Sequence, residues 1–144
     1  MAEQNFSNHG KFVPPFHFFV IPVLAINLVH ALYTWGKSGF SLAGFLQVLV
    51  ALALPLGFLS ARMMVLTVQD RVIRLEEQLR YERVLPADLK PRTGEFTVAQ
   101  FVSLRFASDA ELPVLARKVL DDKMNERKAI KQLVRNWKPD YLRA

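Results

Sequence analysis

LAGFLQVLVALALPLGFLSARMMVLTVQDRVIRLEEQLRYERV, residues 42–84, decides the fold of this chain. From Leu42 to Ala61 it is almost wholly apolar and carries no charge. Twenty helical residues rise about 30 Å, the thickness of the hydrocarbon core of a bilayer. Charges begin at Arg62, yet the apolar spacing continues. Leu54, Phe58, Ala61, Val65, Val68, Val72, Leu75 and Leu79 recur at alternating steps of four and three. That is a period of about 3.5, the seam of helices that wind around a partner. The reading is one helix that leaves a membrane and continues as a stalk, a short coiled-coil element. Asp70/Arg74 and Glu76/Arg80 are expected as i,i+4 pairs on its wet faces. The plainer alternative is an amphipathic helix lying on other parts of the same chain.

Within the second span Ala53, Gly57 and Ala61 are spaced by four. Small residues on one stripe let helix backbones approach closely, within a hairpin or between copies. Together with Val65, Val68, Val72, Leu75 and Leu79 they form the expected helix-packing interface. Gly44 and Ser60 extend the contact faces, and Pro55 frees the carbonyl of Ala51 and adds a bend. Upstream, residues 16–33 make the first span, with Phe16, Phe18 and Phe19 at one end and Tyr33 and Trp35 as an interfacial belt at the other. Pro22 frees the carbonyl of Phe18 and should bend the helix there. Thr34 to Ser41 is too short for anything but a tight turn, so the spans are antiparallel neighbours. Lys37 is its one charge, against Arg62, Arg71 and Arg74 beyond the second span and Lys11 before the first. That bias places both termini in the cytoplasm.

Residues 1–15 are polar and then proline-bearing, without a signal-peptide pattern, and read as retained. After the hairpin of residues 16–66 come a stalk at 62–85, a linker at 86–95 and a small helical part at 96–144. The linker holds Pro86, Pro91 and Gly94 and has no helical period. The last part reads as three short helices. Thr97 with Gln100 starts one that runs to Ala107, and Ser108 with Glu111 starts another to Lys123. Asn125 caps a third that runs to Trp137. Phe101, Leu104, Leu112, Leu115, Val119 and Leu120 supply a small core. So few residues bury little surface, which means this part must lean on the stalk, the membrane or a partner.

The chain has 144 residues, a formal net charge of +6 and no cysteine. Disulfides, thiolate chemistry and cysteine-held metal are therefore excluded within it. The basic excess lies after the spans and suits anionic lipid or an acidic partner. No basic run, Gly-rich loop or binding motif points to nucleic acid. Arg127, Lys131, Arg135 and Lys138 share one face of the third short helix, with Trp137 beside them, and could rest on lipid head groups. An ordinary solvated face is the plainer account. No nucleophile or acid–base constellation marks an enzyme: Asp109 and Glu111 suit helix-start chemistry, and Asp121 and Asp122 have no third ligand type nearby.

Three polar residues, His17, Asn27 and His30, lie in the first span, and Gln47 in the second. Polar groups in hydrocarbon face another helix or a ligand. Gln47 is placed to bond Asn27 or His30 across the hairpin. His30 is the candidate ligand-binding residue, for haem or a quinone. His17 and His30 stand too far apart along a helix to share one iron within a chain, at about 1.5 Å per residue. No cofactor is expected; haem at His30 is the alternative.

The opening Ala2-Glu3-Gln4-Asn5-Phe6 with Asn8-His9, the Leu104-Arg105-Phe106-Ala107-Ser108-Asp109 run before Glu111-Leu112, and the closing Asn136-Trp137-Lys138-Pro139-Asp140 carry a resemblance. The chain resembles a domain-of-unknown-function family of small bacterial two-span membrane proteins. The resemblance covers the whole chain. It implies a helical hairpin in a bacterial inner membrane with a cytoplasmic C-terminal part, and it implies no activity. The resulting expectation is an all-α, non-enzymatic membrane protein that works through assembly. It would be an accessory or scaffold subunit of a larger inner-membrane complex, or a homo-oligomer. Its partners would be the bilayer, other membrane subunits or itself, with anionic lipid besides. A homo-oligomeric two-span pore and a haem- or quinone-binding subunit are the alternatives.

Overall fold

A computed structural model of the chain describes residues 5, 6, 10 and 13–141. His9 and Lys11, one of the charges counted for orientation, lie outside the described residues. The fold is all-helical among the described residues, and two of its helices are long and apolar enough to cross a membrane. They are Phe16–Lys37 and Leu42–Val84, with mean hydropathies of 1.8 and 2.2 over their most apolar windows. The chain divides into two compact units, a hairpin that ends at Val65 and a second unit that begins at Leu66.

In the hairpin, α1 spans Ile21–Lys37 and is preceded by a π-helical turn, Phe16–Val20. The Ile21 amide reaches back to the carbonyl of Phe16. Pro22 has no amide and its ring crowds the carbonyl a turn earlier, so the widened turn falls where a proline bend belongs. α1 runs to Lys37, past the expected end at Tyr33. The Thr34 hydroxyl donates to the carbonyls of His30 and Ala31, holding that last turn. α2 is a single helix, Leu42–Val84, with Pro55 inside it.

Ser41 organises the turn between them. Its Oγ accepts from the Gly44 amide at 3.2 Å, an N-cap, and its carbonyl accepts from the Trp35 indole at 3.1 Å. Trp35 also packs edge-on to Phe40, which takes a positive φ of 59° in the turn. The two helices meet through Ala31, Val48 and Ala51, with Leu28 and Trp35 against them. Gly44 is required there, since a Cβ on it would lie 2.7 Å from Cδ1 of Trp35. The expected stripe of Ala53, Gly57 and Ala61 is exposed instead, and nothing lies within 4 Å of where a Gly57 Cβ would be. The hairpin closes on the register of Gly44, Val48 and Ala51, because Trp35 needs the glycine.

In the second unit, the end of α2 carries Tyr81 and then Leu85 into a core shared with the later elements of the chain. The expected linker at 86–95 contributes Leu89 to the same core. Leu85, Leu89 and Phe96 are buried, and Lys90–Glu95 forms a 3-10 helix. Arg92 bonds Glu95 within it and Asp121 on a later helix. α3, Val98–Leu104, starts with the expected capping box: Thr97 Oγ1 accepts from the Gln100 amide, and Gln100 Oε1 accepts from the Thr97 amide at 2.7 Å. Tyr81, Phe96 and Phe101 form a ring cluster with centroids 5.1–5.5 Å apart.

α4 spans Leu112–Asp121 and α5 spans Arg127–Leu133. Neither begins with the expected side-chain cap. Glu111 turns away to accept from the amides of Arg135 and Asn136, both at 2.9 Å, and Glu126 stands where Asn125 was expected. α5 stops at Leu133, short of Trp137, because the chain then becomes extended and bridges Ala107 with Trp137. The Ser108 amide donates to Asn136 and the Lys138 amide to Phe106. Phe101, Leu104, Leu112, Leu115, Val119 and Leu120 are all in the core.

Gly44→Val should push α1 and α2 apart at Trp35 and cost about 1–3 kcal/mol, the usual penalty of overpacking. A lowered thermal midpoint with shifted Trp35 emission is the expected result. An unchanged midpoint would show that the close approach at Gly44 contributes nothing.

Candidate interaction surface

The part of α2 in the second unit presents two apolar registers. Ile73, Glu77, Arg80 and Tyr81 are buried against the rest of the unit, with Leu66 and Asp70 half-buried in line with them. The expected seam lies away from that face. Val68, Val72, Leu75 and Leu79 are 60, 48, 62 and 69% exposed. Val65, at the end of the hairpin unit, is 51% exposed. The plainer of the two readings, a helix lying on other parts of the same chain, holds for one side of α2. One side lies on the chain's own residues, and the 3.5-period side is bare.

The covered side is held by Arg80. Its side chain is 4% exposed, and its donors are directed at specific acceptors. Nε and Nη2 reach Asp109 Oδ1 at 2.7 and 2.6 Å. Nη2 also donates to the carbonyl of Ala107 at 2.6 Å, and Nη1 donates to Glu77 Oε2 at 3.1 Å. A buried guanidinium without such partners would be strongly destabilising. The bonds to Asp109 and Ala107 tie the connection after α3 onto α2. The expected surface pairs give way to this arrangement. Arg80 takes Glu77 and Asp109 rather than Glu76, because it sits on the packed face. Asp70 takes Arg127 of α5 at 2.9 Å rather than Arg74. Arg105 pairs with Asp140 at 3.1 Å and lies 4.5 Å from the centre of the Phe106 ring.

Burial pushes the Glu77 carboxyl above its ordinary value, and the nearby Arg80 opposes that rise. Asp109 moves the other way, because the Arg80 hydrogen bond favours its ionised form. The Tyr81 hydroxyl is pushed up by burial and by the Glu77 charge. It has no hydrogen-bond partner among the described residues.

The remaining candidate residues fall into two places. In the hairpin, Asn27, His30, Thr34 and Gln47 line one open groove of ≈ 510 Å³ with Ala31 and Ala51. Geometry thus gathers the polar residues singled out in the spans, except His17, whose Nδ1 accepts from the Val13 amide at 3.1 Å. In the second unit the basic residues do not share a helix face, since Arg135 and Lys138 lie beyond α5. Arg127 is engaged with Asp70. Lys131 lies 5.3 Å from the Phe106 ring centre, and Trp137 stacks on that ring at 4.8 Å. Among the described residues no three His, Asp or Glu side chains come together as a metal site. The surface offers apolar area and flanking charge, which is the chemistry of association.

The chain matches the family of unknown function DUF6526 over residues 1–144. It belongs to this family. No curated protein and no solved structure matches it.

Missing from the sequence reading are Glu77, Arg80 and Asp109 as the group that fastens the second unit together. The one signal in the sequence was the second 3.5-type register, Leu66, Ile73, Glu77, Arg80 and Val84, in which charges stand where apolar residues are usual.

The pH dependence of stability tests the pairing. Asp109 has a folded pKa below its ordinary 3.8. Its contribution is therefore complete above 3.8 and is lost as pH falls through the lower folded value. Asp88, lowered by Arg117, acts in the same window. Asp109→Asn should lower the urea midpoint at neutral pH and make the acid loss of stability shallower, without abolishing it. A variant with the parent's full acid slope would show that Asp109 does not pair in solution.

Proposed function

We propose that this is an integral membrane protein that works by assembly rather than by catalysis. It would cross a bilayer twice, through Phe16–Lys37 and the first part of α2, with both termini in the cytoplasm. It would act as an accessory or scaffold subunit of a larger inner-membrane complex, or as a homo-oligomer. The observation that carries this reading is the bare register of Val68, Val72, Leu75 and Leu79, 48–69% exposed on a helix whose other side is covered. Large apolar side chains in register along a water-facing helix are costly to leave uncovered and mark interaction sites.

Support for the membrane placement comes from the length and hydropathy of the two helices and from their nearly continuous exposed apolar surface. A solvated protein of this size would bury such residues, whereas lipid covers them without protein contact. The exposed Ala53, Gly57 and Ala61 stripe supports close approach of another span. The second unit brings charge to the same assembly, and its basic excess suits an acidic partner or anionic lipid.

The test is gentle extraction of the native protein in lipid particles, followed by native mass measurement. The expected result is a defined species heavier than the 16.5 kDa chain. A monodisperse monomer, alone in its particle, would overturn the reading. The same preparation answers for the other two candidate roles. A Soret band would assign His30 to a haem, and conductance in a planar bilayer would assign a pore.

A further inference from the structure

We infer that the bare register of α2 takes a second copy of this chain, parallel and in register. Arg71 of each copy would face Glu76 of the other. This rests on the assembly reading above and names its partner.

The steps from Val65 to Leu79 assign heptad positions without ambiguity. Val65, Val72 and Leu79 fall at a, and Val68 and Leu75 fall at d. Val65 and Val72 at a with Leu75 at d fit the rule that β-branched a and leucine d favour two strands, while Val68 at d and Leu79 at a depart from it. The flanks then carry the orientation. Arg71 falls at g and Glu76 at e, both on exposed positions. In a parallel pair, each g residue lies beside the e residue five positions further along the partner helix. Arg71 plus five is Glu76, so symmetry supplies two opposite-charge contacts per dimer. The other flanking pairs in this register are Met64 with Gln69 and Gln78 with Arg83, so no like charges are opposed. An antiparallel pair sets g against g and loses that match.

The covered face leaves the register clear. The second unit packs on Ile73, Glu77, Arg80 and Tyr81, and neither Arg71 nor Glu76 makes an ion pair within the chain among the described residues. The seam ends where the next d position is Glu82 and the following a position is Pro86. Two heptads are few for a free coiled coil. Confinement to one bilayer supplies what they lack, since copies inserted alike are already parallel and at the same depth.

The experiment uses the full-length protein in lipid bilayers, where dimer dissociation is read by energy transfer between labelled copies on dilution with lipid. Arg71→Glu and Glu76→Arg should each weaken the dimer about fivefold, the scale of a few short-range charge contacts, and the double variant R71E/E76R should restore it. Leu75→Cys should form disulfide-linked dimers on oxidation, and the exposed off-seam Arg74→Cys should not. Dimers that ignore both charge reversals would overturn the parallel register, while the assembly reading stands. Loss of energy transfer with a larger native mass would do the same, pointing to a different protein as partner. A lone monomer in both measurements would overturn this inference and the assembly reading together.

Discussion

One helix in this protein has more apolar surface than the rest of the chain can cover. α2 is 43 residues long, and the chain beyond it forms a small helical unit built on one side of its end. Among the described residues that unit buries Ile73, Glu77, Arg80 and Tyr81 and leaves Val68, Val72, Leu75 and Leu79 exposed. The remaining hydrophobic positions need another solvent. In the proposed placement, lipid would serve for residues up to about Ala61. Beyond Arg62, where charges become frequent, the proposed assembly would remove Val68, Val72, Leu75 and Leu79 from water.

The unit itself is held in a way that fixes which side stays bare. Arg80 is nearly inaccessible, and its bonds to Asp109 and the Ala107 carbonyl bind a connection far along the chain to α2. The guanidinium is buried while the Asp109 side chain is 67% exposed, so the larger cost is that of leaving Arg80 without its acceptors. The effect is therefore to select one docking of the unit on α2. A rotated docking that covered the valine register would leave the guanidinium with Glu77 of its own helix and without Asp109 and the Ala107 carbonyl.

The long helix and its 3.5 spacing were legible in the sequence because both are local and periodic. The Thr97/Gln100 box was legible because its two residues answer each other within one turn. Readings that depended on distant partners missed. Glu111 looked like the end of a capping box, but the amides of Arg135 and Asn136 compete for its carboxylate from a segment that comes later. Local spacing alone carries the third short helix to Trp137, but the bridge to Ala107 ends it first. Arg80 looked like a surface residue because its partners are set by the fold of residues 105–109. In the hairpin, the stripe of Ala53, Gly57 and Ala61 was the more regular pattern, but the bulk of Trp35 selected Gly44. The gathering of Asn27, His30, Thr34 and Gln47 in one groove is a consequence of that choice of register.

The proposed assembly requires the bare register to be covered when the protein is in a bilayer. The chain has no cysteine, so single nitroxide labels can be placed from 68 to 79 without other changes. Their accessibility to a water-soluble relaxation agent in lipid bilayers measures coverage directly. The account predicts minima at 68, 72, 75 and 79, as low as those on the face packed against the second unit. Maxima at those four positions would contradict it.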